Sequence, residues 1–182
     1  MKTHLFENLI SDKELFFIYS QVMSIPSWSI TGLTDEEDSS FNNKFNTGPL
    51  LLVKKGNDPS SVQPSFYLWG KTILFRIEKE LAKQNIGIPI SIHRMWFNVT
   101  YTDNNQHWLH RDSCAADAKS IVLFLTPVWL PEWSGSFHVD GEEFKFKPGN
   151  AIIFDSKEYH TGKTPVEKTN GWSRLTCNIL VK

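Results

Sequence analysis

The chain has too little cysteine to be held together by cross-links. Its 182 residues include two, Cys114 and Cys177. One pair cannot staple a fold of this length, so stability must come from a hydrophobic core, in a setting where thiols stay reduced. Long apolar runs are also missing: no segment approaches the ~18 uninterrupted apolar residues of a membrane span. The start, MKTHLFENLI, carries neither the apolar stretch nor the small-residue cleavage site of a secretory leader. A cytoplasmic protein with no membrane partner is the expectation. An excess of either charge is absent as well, since 19 Lys and Arg stand against 20 Asp and Glu for a net charge of −1. That balance provides no basic field to recruit a nucleic-acid backbone. Neither repeats nor low-complexity tracts occur, which removes solenoids and fibrous chains.

What is present is a core. With 40% hydrophobic and 13% aromatic residues, the chain can fill one domain and is short for two, so 1-182 is read as a single domain. Residues 1-88 read as helical support and loops. Ser11 and Glu14 form a capping box, with Ile10 and Leu15 placed as a hydrophobic staple, and Leu15, Ile18, Tyr19 and Val22 follow at helical spacing. This predicts a helix over roughly 12–24. Phe66, Trp69, Ile73, Leu74, Ile77 and Leu81 predict a second over about 65–84, stopped by Asn85 and Gly87. Between them, TDEEDSSFNNKFNTG at 34–48 reads as a surface loop.

From 89 to 182 the texture changes to short β-rich runs punctuated by Pro and Gly: ISIHRMWFNVTY, HWLHRD, SIVLFLTP, GSFHV, EFKFK, AIIFD and WSRLTCNILV. The expected fold is mainly β within an α+β class, a jelly-roll core buttressed by two N-terminal helices.

Two look-alike motifs lie in this half, His110-Arg111-Asp112 and His138-Val139-Asp140. A histidine and a carboxylate two apart on an extended chain point the same way, as metal ligands on one strand must. The second motif runs into Asp140-Gly141, a two-residue hairpin signal. A turn there pairs Val139 with Glu142, His138 with Glu143 and Phe137 with Phe144. Asp140 is then consumed by the turn, and His138 falls on the polar face with Ser136, Glu143 and Lys145. In the first motif, Trp108, His110 and Asp112 share a face that turns inward, with Leu109 and Arg111 opposite. A buried carboxylate needs a compensating charge, which either a divalent metal or a nearby Arg or Lys would supply.

His160 follows 48 residues after Asp112 but only 20 after Asp140, and the longer gap suits ligands on separate strands. Near the end, Arg174 and Thr176 share a strand face, where a guanidinium and a hydroxyl can converge on one carboxylate. His107 lies on the face opposite His110, and His93 and His4 have no partner pattern. Trp129 and Trp133 in TPVWLPEW either border a substrate pocket or plug the barrel end, and packing is the expectation.

His110-x-Asp112, then His160, Thr164-Pro165-Val166, Gly171 and Arg174-x-Thr176 together resemble the Fe(II)/2-oxoglutarate-dependent oxygenases, especially the prolyl 4-hydroxylase-like group. The resemblance covers roughly 92–181. It implies a double-stranded β-helix that holds Fe(II) through His110, Asp112 and His160. It further implies that Arg174 pairs with the distal carboxylate of 2-oxoglutarate, assisted by Thr176 and by Tyr101. Two imidazoles and one carboxylate occupy one face of an octahedral ion and leave three positions for the oxo acid and O2. The implied activity is a dioxygenase that hydroxylates an unactivated C–H bond of a peptide, amino acid or small metabolite and releases succinate and CO2. Asp112 favours hydroxylation over halogenation, because related halogenases lack this carboxylate. Arg174 stands where many collagen-type enzymes carry Lys, which puts a peptidyl-proline substrate in doubt. Leu180 stands where nucleobase-repair relatives carry a second Arg. A monomer or homodimer is expected. The competing readings are a cupin-like metalloenzyme without 2-oxoglutarate and a non-catalytic jelly-roll binding module.

Overall fold

The computed structural model describes residues 2–25, 50–55, 64–89, 91–100, 109–166 and 169–182. The 34–48 loop, Tyr101, His107 and Trp108 lie outside the described residues.

Helix α1 (Asp12–Met23) begins where the sequence indicates. The Glu14 N–H donates to Ser11 Oγ at 3.4 Å and the Ser11 N–H donates to Glu14 Oε2 at 3.2 Å, which completes the capping box. Its Leu15, Ile18 and Val22 are buried. Helix α2 (Pro64–Ala82) buries Gly70, Ile73, Leu74, Ile77 and Leu81, and the chain leaves it through Asn85 at φ 58°, a left-handed residue of the kind that ends helices. The helices are tied together by Glu14, whose Oε1 accepts from Arg76 Nη2 at 2.7 Å. At Gly70 the second helix comes down on the sheet, where a Cβ would lie 2.5 Å from Met95 Sδ.

Among the described residues, nine strands form two antiparallel sheets, two of them ahead of α2. They are β1 (His4–Phe6), β2 (Leu50–Lys55), β3 (Ile92–Thr100), β4 (Lys119–Phe124), β5 (Phe137–Val139), β6 (Glu142–Phe144), β7 (Ala151–Asp155), β8 (His160–Gly162) and β9 (Arg174–Val181). The larger sheet runs β1-β7-β4-β9-β3-β2 and the smaller β6-β5-β8. The expected division at residue 88 therefore moves, because β1 and β2 belong to the larger sheet. Both are edge strands without clear alternation, so their sequences carry little of the period-two signal.

Register decides what each face of the larger sheet holds. Asn98 pairs with Thr176, Trp96 with Asn178, Thr100 with Arg174, Ser120 with Leu180 and Val122 with both Asn178 and Ile152. These residues share one face. The other carries Met95, Phe97, Val99, Ile121, Leu123, Ile153, Leu175, Cys177 and Ile179, which join the helix residues in one core cluster. Each fully buried Ile, Leu or Phe contributes roughly 1.5–3 kcal/mol, and both cysteines are free, so packing carries the fold. On the inner face Val122, Phe124, Ile152 and Phe154 pack against Phe137 and Val139 of the smaller sheet.

The hairpin has the expected register: Phe137 with Phe144, His138 with Glu143 and Val139 with Glu142. Asp140 and Gly141, at φ 52° and 75°, supply the two left-handed residues that a type I′ turn requires. HWLHRD, by contrast, does not form the expected strand over its described part. His110 makes a single antiparallel bridge to His160, and the chain then bends as the Asp112 and Ser113 N–H groups both donate to Ser156 O.

Candidate metal centre

The bridge brings the first motif and His160 together. The His110 N–H donates to His160 O at 3.0 Å and the His160 N–H donates to His110 O at 2.9 Å, so the two residues form a hydrogen-bonded antiparallel pair with their side chains on one side. Their imidazole centroids lie 4.3 Å apart. The bend at Asp112 swings its carboxylate beneath both rings, with Oδ2 3.5 Å from His160 Nε2 and Oδ1 3.9 Å from His110 Nε2. One ligand atom from each of the three residues falls within 4.8 Å of the others, and among the described residues this is the one such cluster of His, Cys, Asp or Glu side chains. His138 and Asp140 are not in it. His138 Nε2 instead lies 3.1 Å from Ser136 Oγ and 3.4 Å from Glu143 Oε1 on the outer side of the hairpin.

The protonation chemistry suits a cation. Burial alone would raise the Asp112 carboxyl, but His160, His110 and the Ser120 hydroxyl overrule it and hold the group ionised, well below the usual carboxylate range. Ser120 Oγ donates to Oδ2 at 2.6 Å, which fixes the carboxylate's orientation. Burial alone would lower His160, and the Asp112 carboxylate raises it instead. His160 Nδ1 lies 3.1 Å from the Glu158 carbonyl. A proton on Nδ1 that donates to that carbonyl leaves the Nε2 lone pair directed at the cluster, as a metal ligand requires. His110 is the most exposed of the three and marks the open side. Leu109 and Arg111 point outward, and the Arg111 guanidinium stacks 4.0 Å over the Tyr159 ring.

Arg174 is 3% exposed, and burial pushes its pKa down to about 10. Its Nε donates to Gly135 O at 2.7 Å and its guanidinium lies 5.2 Å from the Phe146 ring centroid, but among the described residues Nη2 has no hydrogen-bond partner. The backbone beside it is pinned by the Leu175 N–H, which donates to Thr126 Oγ1 at 2.8 Å. Gly162 supplies the room: a Cβ there would lie 3.2 Å from Arg174 Nη2. His160 and Gly162 alternate on β8, so the cluster and the guanidinium occupy neighbouring positions along one inner face. Thr176, buried beside Arg174 on β9, shares that face.

Neither a protein-family model nor a curated protein matches the chain. Solved structures do. A prolyl-4-hydroxylase from Pseudomonas putida superimposes with a TM-score of 0.64 at 14% identity, over 99% of this chain and 92% of that one. A prolyl hydroxylase from Trichoplax adhaerens, solved with a peptide fragment of the hypoxia-inducible factor oxygen degradation domain, gives 0.64 at 14% identity over 98% and 82%. This is the fold of the 2-oxoglutarate- and Fe(II)-dependent oxygenases. An α-ketoglutarate-dependent epimerase of nogalamycin biosynthesis shares the oxygenase fold at a TM-score of 0.68, with 11% identity over 99% of this chain and 77% of that one.

Several residues around the centre were not singled out in the sequence. Ser120 was readable as a polar residue at an inward position of SIVLFL, and Gly162 as a glycine two places from a candidate ligand. Gly135, Phe146 and Glu158 act through backbone or ring contacts that no local pattern announces. Trp129 and Trp133 pack in the core beneath Phe146, as expected.

Proposed function

We propose that the chain is an Fe(II)- and 2-oxoglutarate-dependent dioxygenase of the prolyl 4-hydroxylase-like group, built as a single domain around a double-stranded β-helix whose walls are the two sheets. The observation that carries the reading is the Nη2 of a buried Arg174, without a hydrogen-bond partner among the described residues, beside a His, Asp and His cluster. A guanidinium kept out of water with an unused donor costs stability unless an anion completes it. The oxo acid's distal carboxylate is such an anion.

The residues fit both groups. His110, Asp112 and His160 would hold Fe(II) with two neutral imidazoles and one carboxylate, a donor set that leaves coordination positions open. Arg174 would receive the distal carboxylate, with Thr176 contributing its hydroxyl and Tyr101 a phenol. Fe(II), 2-oxoglutarate and O2 together supply an oxidant able to break an unactivated C–H bond, with succinate and CO2 as coproducts. The chain's own contribution is positional. Ser120 holds the carboxylate, Glu158 sets the His160 tautomer, and Phe146, Trp129 and Phe137 keep water from the anchor and the ligands.

The substrate is a peptide, amino acid or small metabolite, and hydroxylation is the expected outcome. The Trichoplax adhaerens neighbour binds a peptide fragment, which supports a peptide-sized entrance, whereas the epimerase illustrates that relatives of this fold reach other outcomes. A cytoplasmic monomer or homodimer completes the reading. The test is release of labelled CO2 from 1-labelled 2-oxoglutarate in the presence of Fe(II) and O2, in wild type and in Asp112→Ala. Release by wild type alone supports the proposal; iron binding without any release favours a cupin-like enzyme, and no iron binding favours a binding module.

A further inference from the structure

On one side of β9 the strand β3 runs as far as Arg174, which pairs with Thr100, whereas on the other side the β4 ladder ends at Phe124 and Thr176. Two places further in the same antiparallel register, Thr126 stands opposite Arg174. The main chain does not carry the ladder that far. The Leu125 N–H still donates to Leu175 O at 3.0 Å, but the Leu175 N–H donates to the Thr126 side chain, Oγ1 at 2.8 Å. The same hydroxyl donates to Ser173 O at 2.8 Å. Pro127, which has no N–H to pair, follows at once. Ser173 O and Leu175 N belong to the two peptide groups that flank the Arg174 Cα, so one fully buried hydroxyl spans both. At the far end of the side chain Nε donates to Gly135 O at 2.7 Å.

We propose that Thr126 is a positioning residue for the oxo-acid anchor: its hydroxyl fixes the main chain on both sides of Arg174 and so aims the guanidinium before the ligand arrives. The proposal rests on the oxygenase reading above and adds to it a residue that acts through Arg174. Held at Nε alone, the guanidinium could pivot about Gly135 O; held at its main chain alone, the long side chain would carry Nη2 in several directions. Held at both ends, it keeps one aim, past Gly162 and beside the Phe146 ring. The two backbone partners are of opposite kind, a carbonyl that accepts and an N–H that donates, so a hydroxyl is needed to serve both. Serine retains both bonds, and valine, of nearly the same shape as threonine, retains neither. An anchor already in place spares the ligand the cost of ordering a long side chain. A hydroxyl that served only the fold would, when removed, loosen every ligand alike, whereas one that aims Arg174 acts on the distal carboxylate alone.

The test uses the full 15N-labelled chain loaded with Zn(II), a redox-inert stand-in for the iron, as wild type, Thr126→Val, Thr126→Ser and Arg174→Met. Two probes are titrated and followed by NMR: 2-oxoglutarate, and pyruvate, which offers the same carboxylate and ketone without the distal carboxylate. Thr126→Val should weaken 2-oxoglutarate roughly three- to tenfold, the cost of ordering one long side chain on binding, and leave pyruvate unchanged. Thr126→Ser should match wild type with both probes. Without ligand, the Arg174 Nε–H should exchange with water faster in Thr126→Val than in wild type or Thr126→Ser, because the bond to Gly135 O opens more often. Where wild type binds 2-oxoglutarate through Arg174, the proposal is overturned if Thr126→Val weakens both probes equally, or if either the 2-oxoglutarate affinity or the Nε–H exchange is unchanged. Thr126→Ala carries the same predictions and replaces the valine variant if that chain does not fold. Failure of the oxygenase reading looks different: 2-oxoglutarate then binds wild type and Arg174→Met alike, or neither, while the Nε–H exchange still decides whether Thr126 holds Arg174.

Discussion

Replacing Arg174 by Met separates an anchor for a ligand from a structural arginine. In the metal- and ligand-free protein, burial moves the Arg174 pKa from 12.5 to about 10, a desolvation cost of about 3 kcal/mol for the charged form. Against it stand one charge-assisted hydrogen bond to Gly135 O at 2.7 Å, contributing about 1.5–3 kcal/mol, and the Phe146 ring contact, contributing about 0.5–2 kcal/mol. The opposing terms nearly cancel. A thioether of similar length loses both, so Arg174→Met should leave the ligand-free stability within about 2 kcal/mol of wild type, or a few degrees of melting temperature. The ligand response should change far more. At a hundredfold excess over its dissociation constant 2-oxoglutarate stabilises the wild-type protein by about 2.7 kcal/mol, which at about 2–4 °C per kcal/mol is a rise of roughly 5–11 °C. In Arg174→Met that rise should vanish. Differential scanning calorimetry with Zn(II), with and without 2-oxoglutarate, reads both quantities. A ligand-free destabilisation well above 3 kcal/mol with the ligand-induced rise intact would refute the reasoning, because the guanidinium would then serve the fold and not a ligand.

Other outcomes follow from the cluster. His160→Ala and Asp112→Ala should abolish stoichiometric metal binding in equilibrium dialysis while His138→Ala leaves it unchanged; equal loss in all three would defeat the sorting of the two motifs. Ser120→Ala removes the 2.6 Å hydrogen bond that orients Asp112 and should weaken metal affinity by roughly 10–100-fold, as read by competition with a fluorescent chelator. In the metal-free protein His160 has a pKa raised above 6.5 by Asp112, against the opposing effect of burial. Its contribution is fully present below pH 6.5 and lost as pH rises through the raised value, while the Asp112 contribution, with a pKa held below 3.8, persists down to strong acid. Calorimetry should therefore show this pair's contribution decline as pH rises above 6.5 without metal. With metal the dependence should reverse, because binding requires the proton to leave His160; the same slope in both states would contradict the assignment.

The sequence was most legible where periodicity and local chemistry coincide. The Ser11–Glu14 box and the spacing of Leu15, Ile18 and Val22 located α1, and Asp140-Gly141 fixed the hairpin register residue by residue. His110-x-Asp112 could be set apart from His138-x-Asp140 by the hairpin signal and by the chain separation to His160, and the resemblance supplied the set of three, although the described part of HWLHRD is a bridge and a bend and not the expected strand. The edge strands β1 and β2 were not legible, since three residues of His4–Phe6 and the bulged Leu50–Lys55 show no alternation to detect. Neither was the bend at Asp112, which depends on two backbone hydrogen bonds to Ser156, a partner 44 residues away from Asp112.

The account turns on the joint presence of a metal centre and an oxo-acid anchor in one site. The most direct measurement is an anaerobic titration of the Fe(II)-loaded chain with 2-oxoglutarate, followed through the weak visible charge-transfer band of the chelate. The account predicts a saturable band in wild type and in His138→Ala, and none in His160→Ala, Asp112→Ala or, at the same oxo-acid concentration, Arg174→Met. Bound iron with no band in the wild-type protein would contradict it.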